Sequence, residues 1–419
     1  MKFIHAADLH IDSPLKGLAT YDGAPVERVR GATRKALHNL VDLCFSESAA
    51  FLILAGDVFD GDWKDFNTGL FFVKELARLR DVGTRVFIVR GNHDAMSEVS
   101  RQLTLPDHVH EFRDDAAETI VLDELGVALH GLSFARREVR DSLVPRYPAP
   151  VAGALNVGVM HTSAGGSSQH ATYAPCSVDE LARKGYDYWA LGHVHAHDII
   201  SRAPYIVFPG NTQGRHIRET GPKGCVVVTA DKGQVSDVRH TPLDVLRWQH
   251  VEVALTGNDG IDELYDKSRT ALATARLGSD GRLTAARLTV SGAATAHERI
   301  MERRESVENQ LRADTLAEWD DLWLEKIELR TRPAIDLAQL RASEGFVGEL
   351  LRAVAEARHD PELQKVLRAQ LQPLVDKLGP ELPELPGLPG LSDAQLGLGD
   401  LSPLLDEVEA RLVAALVEP

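Results

Sequence analysis

Asp8-Leu9-His10, Gly56-Asp57, Gly91-Asn92-His93-Asp94, His161 and Gly192-His193-Val194-His195 share one property: each follows a short apolar run. The runs are Lys2–Ala7, Phe51–Ala55, Arg85–Val89, Leu155–Met160 and Tyr188–Leu191. A single Asp after such a run is a turn or a helix cap. Capping, however, requires neither His-x-His nor Asn-His-Asp, and side chains that follow the strands of an open α/β sheet gather outside the carboxyl ends of those strands. Asp8, His10, Asp57, Asn92, His161, His193 and His195 then give seven metal donors in one pocket. One carboxylate shared between two ions turns seven donors into eight bonds, four to each ion. Mixed imidazole, carboxylate and amide donors suit borderline ions such as Mn²⁺, Fe²⁺ or Zn²⁺ better than the oxygen-seeking Mg²⁺ and Ca²⁺, and Mn²⁺ is the expected ion. Two such ions about 3.5–4 Å apart activate a water and clamp an in-line displacement at phosphorus. Two divalent ions, less the charges of Asp8, Asp57 and a hydroxide, leave one net positive charge to attract a phosphodiester.

These donors need a frame. Further apolar runs at Ile120–Leu122, Val127–Leu129, Tyr205–Phe208 and Cys225–Thr229 join the five above, and helical stretches are expected near 25–47 and 66–82. The helices are long enough for right-handed crossovers in a parallel sheet, and the closer spacing of the later runs favours hairpins. The expected fold class is α/β, with two sheets sandwiched together and helices outside, over residues 1–243. From about 245 the pattern restarts at smaller scale: strand-like Trp248–Leu255, helical 260–276, strand-like Arg287–Val290, helical 295–316 and strand-like Trp323–Leu329. That βαβαβ order predicts a small α+β domain over 244–333. Residues 334–419 read as a helical tail. Phe346, Leu350 and Val354, with Val347 and Leu351 beside them, lie at helical spacing. Asp360-Pro361 opens a second helix bearing Leu363, Val366, Leu367 and Leu371. A Pro/Gly linker at 379–392 follows, and Ser402-Pro403 opens a last amphipathic helix with Leu405, Val408, Leu412 and Leu416.

The chain has 419 residues with 46 Lys+Arg against 62 Asp+Glu, a net charge of −16. Single cores rarely grow beyond ~250–300 residues, so two or three domains are expected. No run approaches the ~18–20 apolar residues of a membrane span. Polar residues come too early for a secretory signal core, and three widely spaced cysteines (Cys44, Cys176, Cys225) make neither a disulfide framework nor a zinc motif, so a reducing, cytoplasmic location is expected. Residues 331–419 carry 8 Lys+Arg and 15 Asp+Glu, so the tail is acidic too. Bulk charge cannot coat a nucleic acid, which would have to be gripped at a local site.

Arg215 and His216 stand in a Gly-bounded loop after Tyr205–Phe208. They fit a surface turn and a phosphate clamp at the pocket rim equally well, since Arg offers a bidentate fork to phosphate oxygens. Arg299, Arg303 and Arg304 alternate with Glu298, Glu302 and Glu305, the pattern of a solvated helix face. His5 and His130 read as packed or solvated side chains, and Trp248 and Trp323 as core.

In this order, Asp8-x-His10, Gly56-Asp57, Gly91-Asn92-His93-Asp94, His161 and Gly192-His193-x-His195 resemble the calcineurin-like metallophosphoesterase superfamily. The flanking residues Phe3 to Pro14, Gly56-Asp57-Val58-Phe59-Asp60-Gly61-Asp62-Trp63 and Pro209-Gly210-Asn211-Thr212-Gln213-Gly214-Arg215-His216 resemble the SbcD/YhaO-type bacterial DNA repair exonucleases. The resemblance covers roughly the first 240 residues. It implies the two-sheet calcineurin-like sandwich with a cap and tail, and it places Asp8, His10, Asp57 and His195 on one metal. It places Asp57, Asn92, His161 and His193 on the other, with Asp57 bridging. His93 corresponds to the family's catalytic histidine, and Asp94 is expected to accept that ring's other N–H. Some relatives carry a second histidine three residues after the bridging Asp. Here that position is Asp60, which throws leaving-group chemistry onto His93.

The resemblance further implies a 3′–5′ DNA exonuclease with single-strand endonuclease activity in DNA repair. It also implies a homodimer and an SMC-like coiled-coil ATPase (SbcC-like or YhaN-like) held by the C-terminal helices. Two rival readings stand beside it. One is a phosphoesterase of nucleotides, other small phosphoesters or phosphoproteins, which would not need the cap and tail. The other is a DNA-end scaffold, which would be expected to lose ligands; all seven are present.

Overall fold

In the computed structural model, residues 1–13, 25–60, 66–96, 103–164, 173–334 and 337–378 are described, together with 401, 405, 406, 408, 409 and 412. The 379–392 linker, Gly61-Asp62-Trp63 and most of the last helix expected after Ser402 lie outside these residues.

β1 (Lys2–Ala6), β2 (Phe51–Ala55) and β3 (Arg85–Val89) are buried almost throughout, as parallel strands covered on both faces must be. They run parallel with β4 (Val109–Glu111) beyond them, while β11 (Gly224–Asp231) and β12 (Gln234–Pro242) add antiparallel to the other side of β1. The sheet order is β12-β11-β1-β2-β3-β4. Side chains alternate across it. Phe3, Phe51, Ile53 and Phe87 face one core, whereas Ile4, Leu52, Leu54 and Val86 face another with residues of the helices α2 (Ala32–Ser46) and α3 (Phe66–Ala77).

The first of those cores is shared with a second sheet of order β5-β6-β7-β8-β10-β9. Its strands are β5 (Glu118–Leu122), β6 (Val127–Gly131), β7 (Leu155–His161), β8 (Tyr188–Gly192), β9 (Asp198–Arg202) and β10 (Tyr205–Phe208), with the short helix α4 (Val178–Arg183) before β8. β6, β7, β8 and β10 are parallel, and the outer strands pair antiparallel. The result is the two-sheet α/β sandwich expected from the sequence. Helix 25–47 is broken at Gly31 into α1 (Val26–Arg30) and α2. β4 and β12 had no sequence signal: one is three residues long, and the other is a largely exposed polar edge.

A third sheet, β13 (Leu246–Leu255), β14 (Leu283–Ala294) and β15 (Leu322–Pro333), carries α5 (Ile261–Leu277) between its first two strands. The single helix expected over 295–316 is two, α6 (His297–Glu302) and α7 (Arg304–Glu318), interrupted at Arg303. Trp248 and Trp323 meet edge-on at 6.0 Å in a core with Leu246, Leu283 and Ile217.

The chain divides into two compact units. One comprises Met1–Val253, Tyr265–Val290 and Glu305–Leu329; the other comprises Ala254–Leu264, Ser291–Arg304 and Arg330–Pro419. In the second unit lie α8 (Leu337–Ala342), α9 (Phe346–Ala357) and α10 (Pro361–Leu378). Asp360 caps α10 through the N–H groups of Glu362 and Leu363. Phe346 is exposed, and Leu351 rather than the Phe346/Leu350/Val354 seam is the fully buried residue of α9. Leu401 and Leu405 pack with Ala357, Leu367 and Leu371, and buried Glu409 accepts from Arg341 and Arg358, both at 2.5 Å.

Candidate metal centre

β1, β2, β3 and, in the second sheet, β7 and β8 each end in the residues that the sequence singled out. The loops are braced against one another before any side chain is considered. Asp8 N–H donates to Gly56 O at 2.9 Å and His10 N–H to Asp57 O at 3.1 Å. The carboxylates are held by amides of other loops, Asp57 by His93 N–H (2.9 Å) and Asp8 by His193 N–H (2.9 Å). Four donors sit in left-handed backbone: Asp8 (φ 52°), His10 (42°), Asp57 (53°) and His193 (108°). Such conformations cost about 1–3 kcal/mol each outside glycine and survive only where the surroundings impose them. Glycine precedes the turn where contact is tightest. A Cβ on Gly91 would collide with the Asp57 carboxylate, and one on Gly192 with Ala55 O.

Among the described residues the side chains form three overlapping clusters, Asp8–His10–His195, His10–Asp60–His93 and Asp8–Asp57–His161. His10 Nδ1 lies 2.6 Å from Asp60 and His195 Nδ1 lies 2.7 Å from Glu219, so each ring donates there and presents Nε2 as an acceptor. The two Nε2 atoms face each other at 3.3 Å. Likewise His161 donates from Nδ1 to Ala55 O (2.9 Å), while its Nε2 meets Asn92 Oδ1 at 3.1 Å and Asp57 Oδ2 at 3.4 Å. Lone pairs pointed at lone pairs in a buried site need a cation between them, so these donors fit metal ions. The His193 ring lies 5.3 Å from that of His161.

The electrostatics agree. Burial opposes the Asp57 charge, yet His161 and His10 hold its carboxyl well below the usual range. Burial also works against a charged His161, and Asp57 nevertheless raises it to about 9. A proton there stands in for a metal's positive charge, and bound metal would displace it.

His93 is the most open of the cluster, its side chain 38 % exposed, with Nδ1 3.3 Å from Asp60. This corrects the role expected for Asp94. Asp94 is fully enclosed and accepts the backbone N–H groups of Phe59 (2.9 Å), Gly91 (3.1 Å) and Val58 (3.2 Å), tying the second and third loops together. Burial and the Asp57 charge push its pKa up to about 7. The carboxylate beside the His93 ring is Asp60, which bridges His93 and His10.

Arg215, for which a surface turn and a clamp at the rim are equally expected, is turned inward, with its guanidinium 3.0 Å from Glu219 and 3.8 Å from Asp60. His216 is half exposed, 3.7 Å from Glu219. Glu219 went unnoticed in the sequence: it is one acid in Arg215-His216-Ile217-Arg218-Glu219, with no spacing rule tying it to His195. His5 and His130 are interior. His5 is held by Tyr188 Oη (3.0 Å) and Leu191 O (3.1 Å), and His130 stacks on Tyr186.

Paired acceptor clusters at the carboxyl edge of a two-sheet sandwich are what a phosphoester hydrolase with a dinuclear metal site requires. The calcineurin-like phosphoesterase family profile matches residues 1–197, and the profile of the middle domain of metallophosphoesterase YhaO matches residues 248–332. The uncharacterized metallophosphoesterase YhaO of Bacillus subtilis (strain 168) is 32 % identical over 306 residues, 72 % of this chain and 74 % of that protein. The DNA double-strand break repair protein Mre11 of Methanopyrus kandleri is 24 % identical over 212 residues, 46 % of this chain and 44 % of that one. Among solved structures, a Thermus thermophilus protein aligns over 57 % of this chain and 98 % of its own (13 % identity, TM-score 0.34). A dimetal phosphatase of Danio rerio aligns over 54 % and 92 % (14 % identity, TM-score 0.33). The chain belongs to the calcineurin-like metallophosphoesterases, in the YhaO family, and is accordingly a hydrolase of phosphoesters with a dinuclear metal site. Among the described residues no helix is long and apolar enough to cross a membrane.

Proposed function

We propose that the protein is a metal-dependent DNA nuclease of DNA repair, a 3′–5′ exonuclease with single-strand endonuclease activity that uses two Mn²⁺ ions. The observation that carries this reading is the three-stranded sheet matched by the YhaO middle-domain profile, a second module beyond what a small phosphoester needs. Similarity to a relative named for double-strand break repair supports it.

One ion would be held by Asp8, His10, Asp57 and His195, the other by Asp57, Asn92, His161 and His193. When bound, the ions supply Lewis acidity toward the phosphate and a water activated for attack. The protein's part is orientation and proton transfer. His10, His161 and His195 have their tautomers set by Asp60, Ala55 O and Glu219. His93, with Nδ1 beside Asp60, has Nε2 left to protonate the departing 3′ or 5′ oxygen. Burial opposes the Asp60 charge, and its hydrogen bond to His10 keeps the carboxyl low, so it remains an acceptor for both rings.

With a net charge of −16, the isolated subunit gains little affinity from counterion release. Tight DNA binding therefore calls on the metals, a homodimer or an SMC-like coiled-coil ATPase of SbcC-like or YhaN-like type, docked on the C-terminal helices. The test is degradation of end-labelled single- and double-stranded DNA in Mn²⁺ by wild type, His93→Ala and Asp57→Ala, with bis-p-nitrophenyl phosphate in parallel. Progressive shortening from the 3′ end by wild type alone is expected. Cleavage of the small ester without DNA, even with the ATPase partner added, would refute the nuclease reading and favour a small-phosphoester enzyme.

A further inference from the structure

We propose that Glu219 is a positioning residue of the metal centre: it fixes the ring of His195, and the first strand of the three-stranded sheet fixes the loop that carries Glu219. The inference rests on the dinuclear reading of the site and adds to it a residue and a linkage.

Glu219 is buried and fully engaged. Its Oε1 accepts from His195 Nδ1 at 2.7 Å and Arg215 Nη2 at 3.0 Å. Its Oε2 accepts from Arg215 N–H at 2.7 Å and Asn211 Nδ2 at 2.9 Å. Both oxygens thus face donors, an arrangement that only a carboxylate satisfies. A donor aimed at a charged acceptor fixes the His195 tautomer, turns Nε2 toward the metal cluster and raises its basicity.

The loop owes its place to β13. Gln213 Nε2 donates to Leu246 O at 2.7 Å, and Gln213 Oε1 accepts from Val245 N–H at 2.9 Å. Trp248 Nε1 donates to Gly214 O at 3.0 Å. Gly214 allows this approach, because a Cβ there would lie 2.7 Å from Glu219 O and 3.0 Å from the Trp248 ring. The path from sheet to metal ligand is short and covalently or hydrogen-bond continuous: Trp248, Gly214, Arg215, Glu219, His195.

The test is calorimetric titration of metal-free protein with Mn²⁺, beside circular dichroism to verify folding. Wild type is expected to bind two ions. Glu219→Gln, which presents a donor to one of its two sets of donors, is expected to weaken one ion about 10–100-fold and leave the other unchanged. In a His195→Ala background the same substitution should add nothing, because its effect runs through that ring. Trp248→Phe keeps an aromatic ring in the core but loses the bond to Gly214 and part of the ring that meets Trp323. It should weaken the same ion by a smaller factor, and it carries the test should Glu219→Gln fail to fold. Unchanged affinities in both single variants, or a full additional loss in the His195→Ala background, would overturn the proposal. Fewer than two ions in wild type would overturn the dinuclear reading, and the proposal with it, a failure recognisable without any variant.

Discussion

The carboxyl edge of the two large sheets and the small three-stranded sheet are built by opposite rules. β1, β2, β3, β7 and β8 are five to seven residues long, buried nearly throughout, and lead into turns that carry the metal donors, several of them left-handed. β13, β14 and β15 are ten to twelve residues long, alternate buried with less buried residues over part of their length, and hold a core of Trp, Leu and Ala. The first region spends stability on bringing like-natured acceptors together; the second supplies stability through ordinary burial. Substitutions should therefore separate chemistry from folding according to region, except at Trp248, whose bond to Gly214 ties β13 to the loop of Glu219.

The largest effect is expected from Asp57→Asn, which removes the charge proposed to be shared by both ions. Hydrolysis of a phosphodiester should fall by at least ~10³-fold, the scale of losing a central electrostatic stabiliser, while the protein stays folded. Gly91→Ala should approach this loss without changing a donor, since its Cβ collides with the Asp57 carboxylate. Retention of near wild-type rates by either variant would break the contrast between regions.

His93→Gln comes next, with kcat reduced about 10²–10⁴-fold, as for loss of a general acid, and metal stoichiometry unchanged. The contrast is sharpened by Leu288→Ala in β14, whose side chain is fully buried. It should cost about 2–5 kcal/mol in denaturant unfolding while leaving Mn²⁺ binding intact. A lost ion there would show that the small sheet supports the site beyond the bond from Trp248 to Gly214.

The smallest effect concerns His5, on β1 but outside the donor set. Burial lowers its pKa to about 3 from 6.5. The unfolded chain takes up a proton that the folded one refuses. Stability is therefore full above pH 6.5 and lost as pH falls from there toward 3, by up to ~1.4 kcal/mol per pH unit. Urea unfolding between about pH 6.5 and 4.5 should show a shallower pH slope in His5→Gln than in wild type. Equal slopes would contradict a neutral, packed His5.

Where a residue type and its chain position both carry meaning, the sequence was legible. Buried strands betray themselves as apolar runs, and parallel strands send their ends to one edge, so Asp8, His10, Asp57 and His161 could be grouped without coordinates. The exposed polar edge strand β12 offered no such contrast with a loop. At the site, Asp94 shares its tripeptide with His93 and was expected to serve that ring; the backbone N–H groups of two loops claim it instead, and Asp60, from another strand end, lies beside His93. Glu219 stayed hidden for the same reason. Its value comes from a loop closing on His195 and from β13 holding that loop, contacts made in three dimensions by residues with no shared period.

The central claim is a pair of ions held at the carboxyl edge of two sheets, and its most direct measurement is bis-p-nitrophenyl phosphate hydrolysis by metal-free protein titrated with Mn²⁺. The account predicts no turnover at zero metal and a rate that climbs to a break at two ions per chain. Turnover without metal, or full activity with a single ion bound, would contradict it.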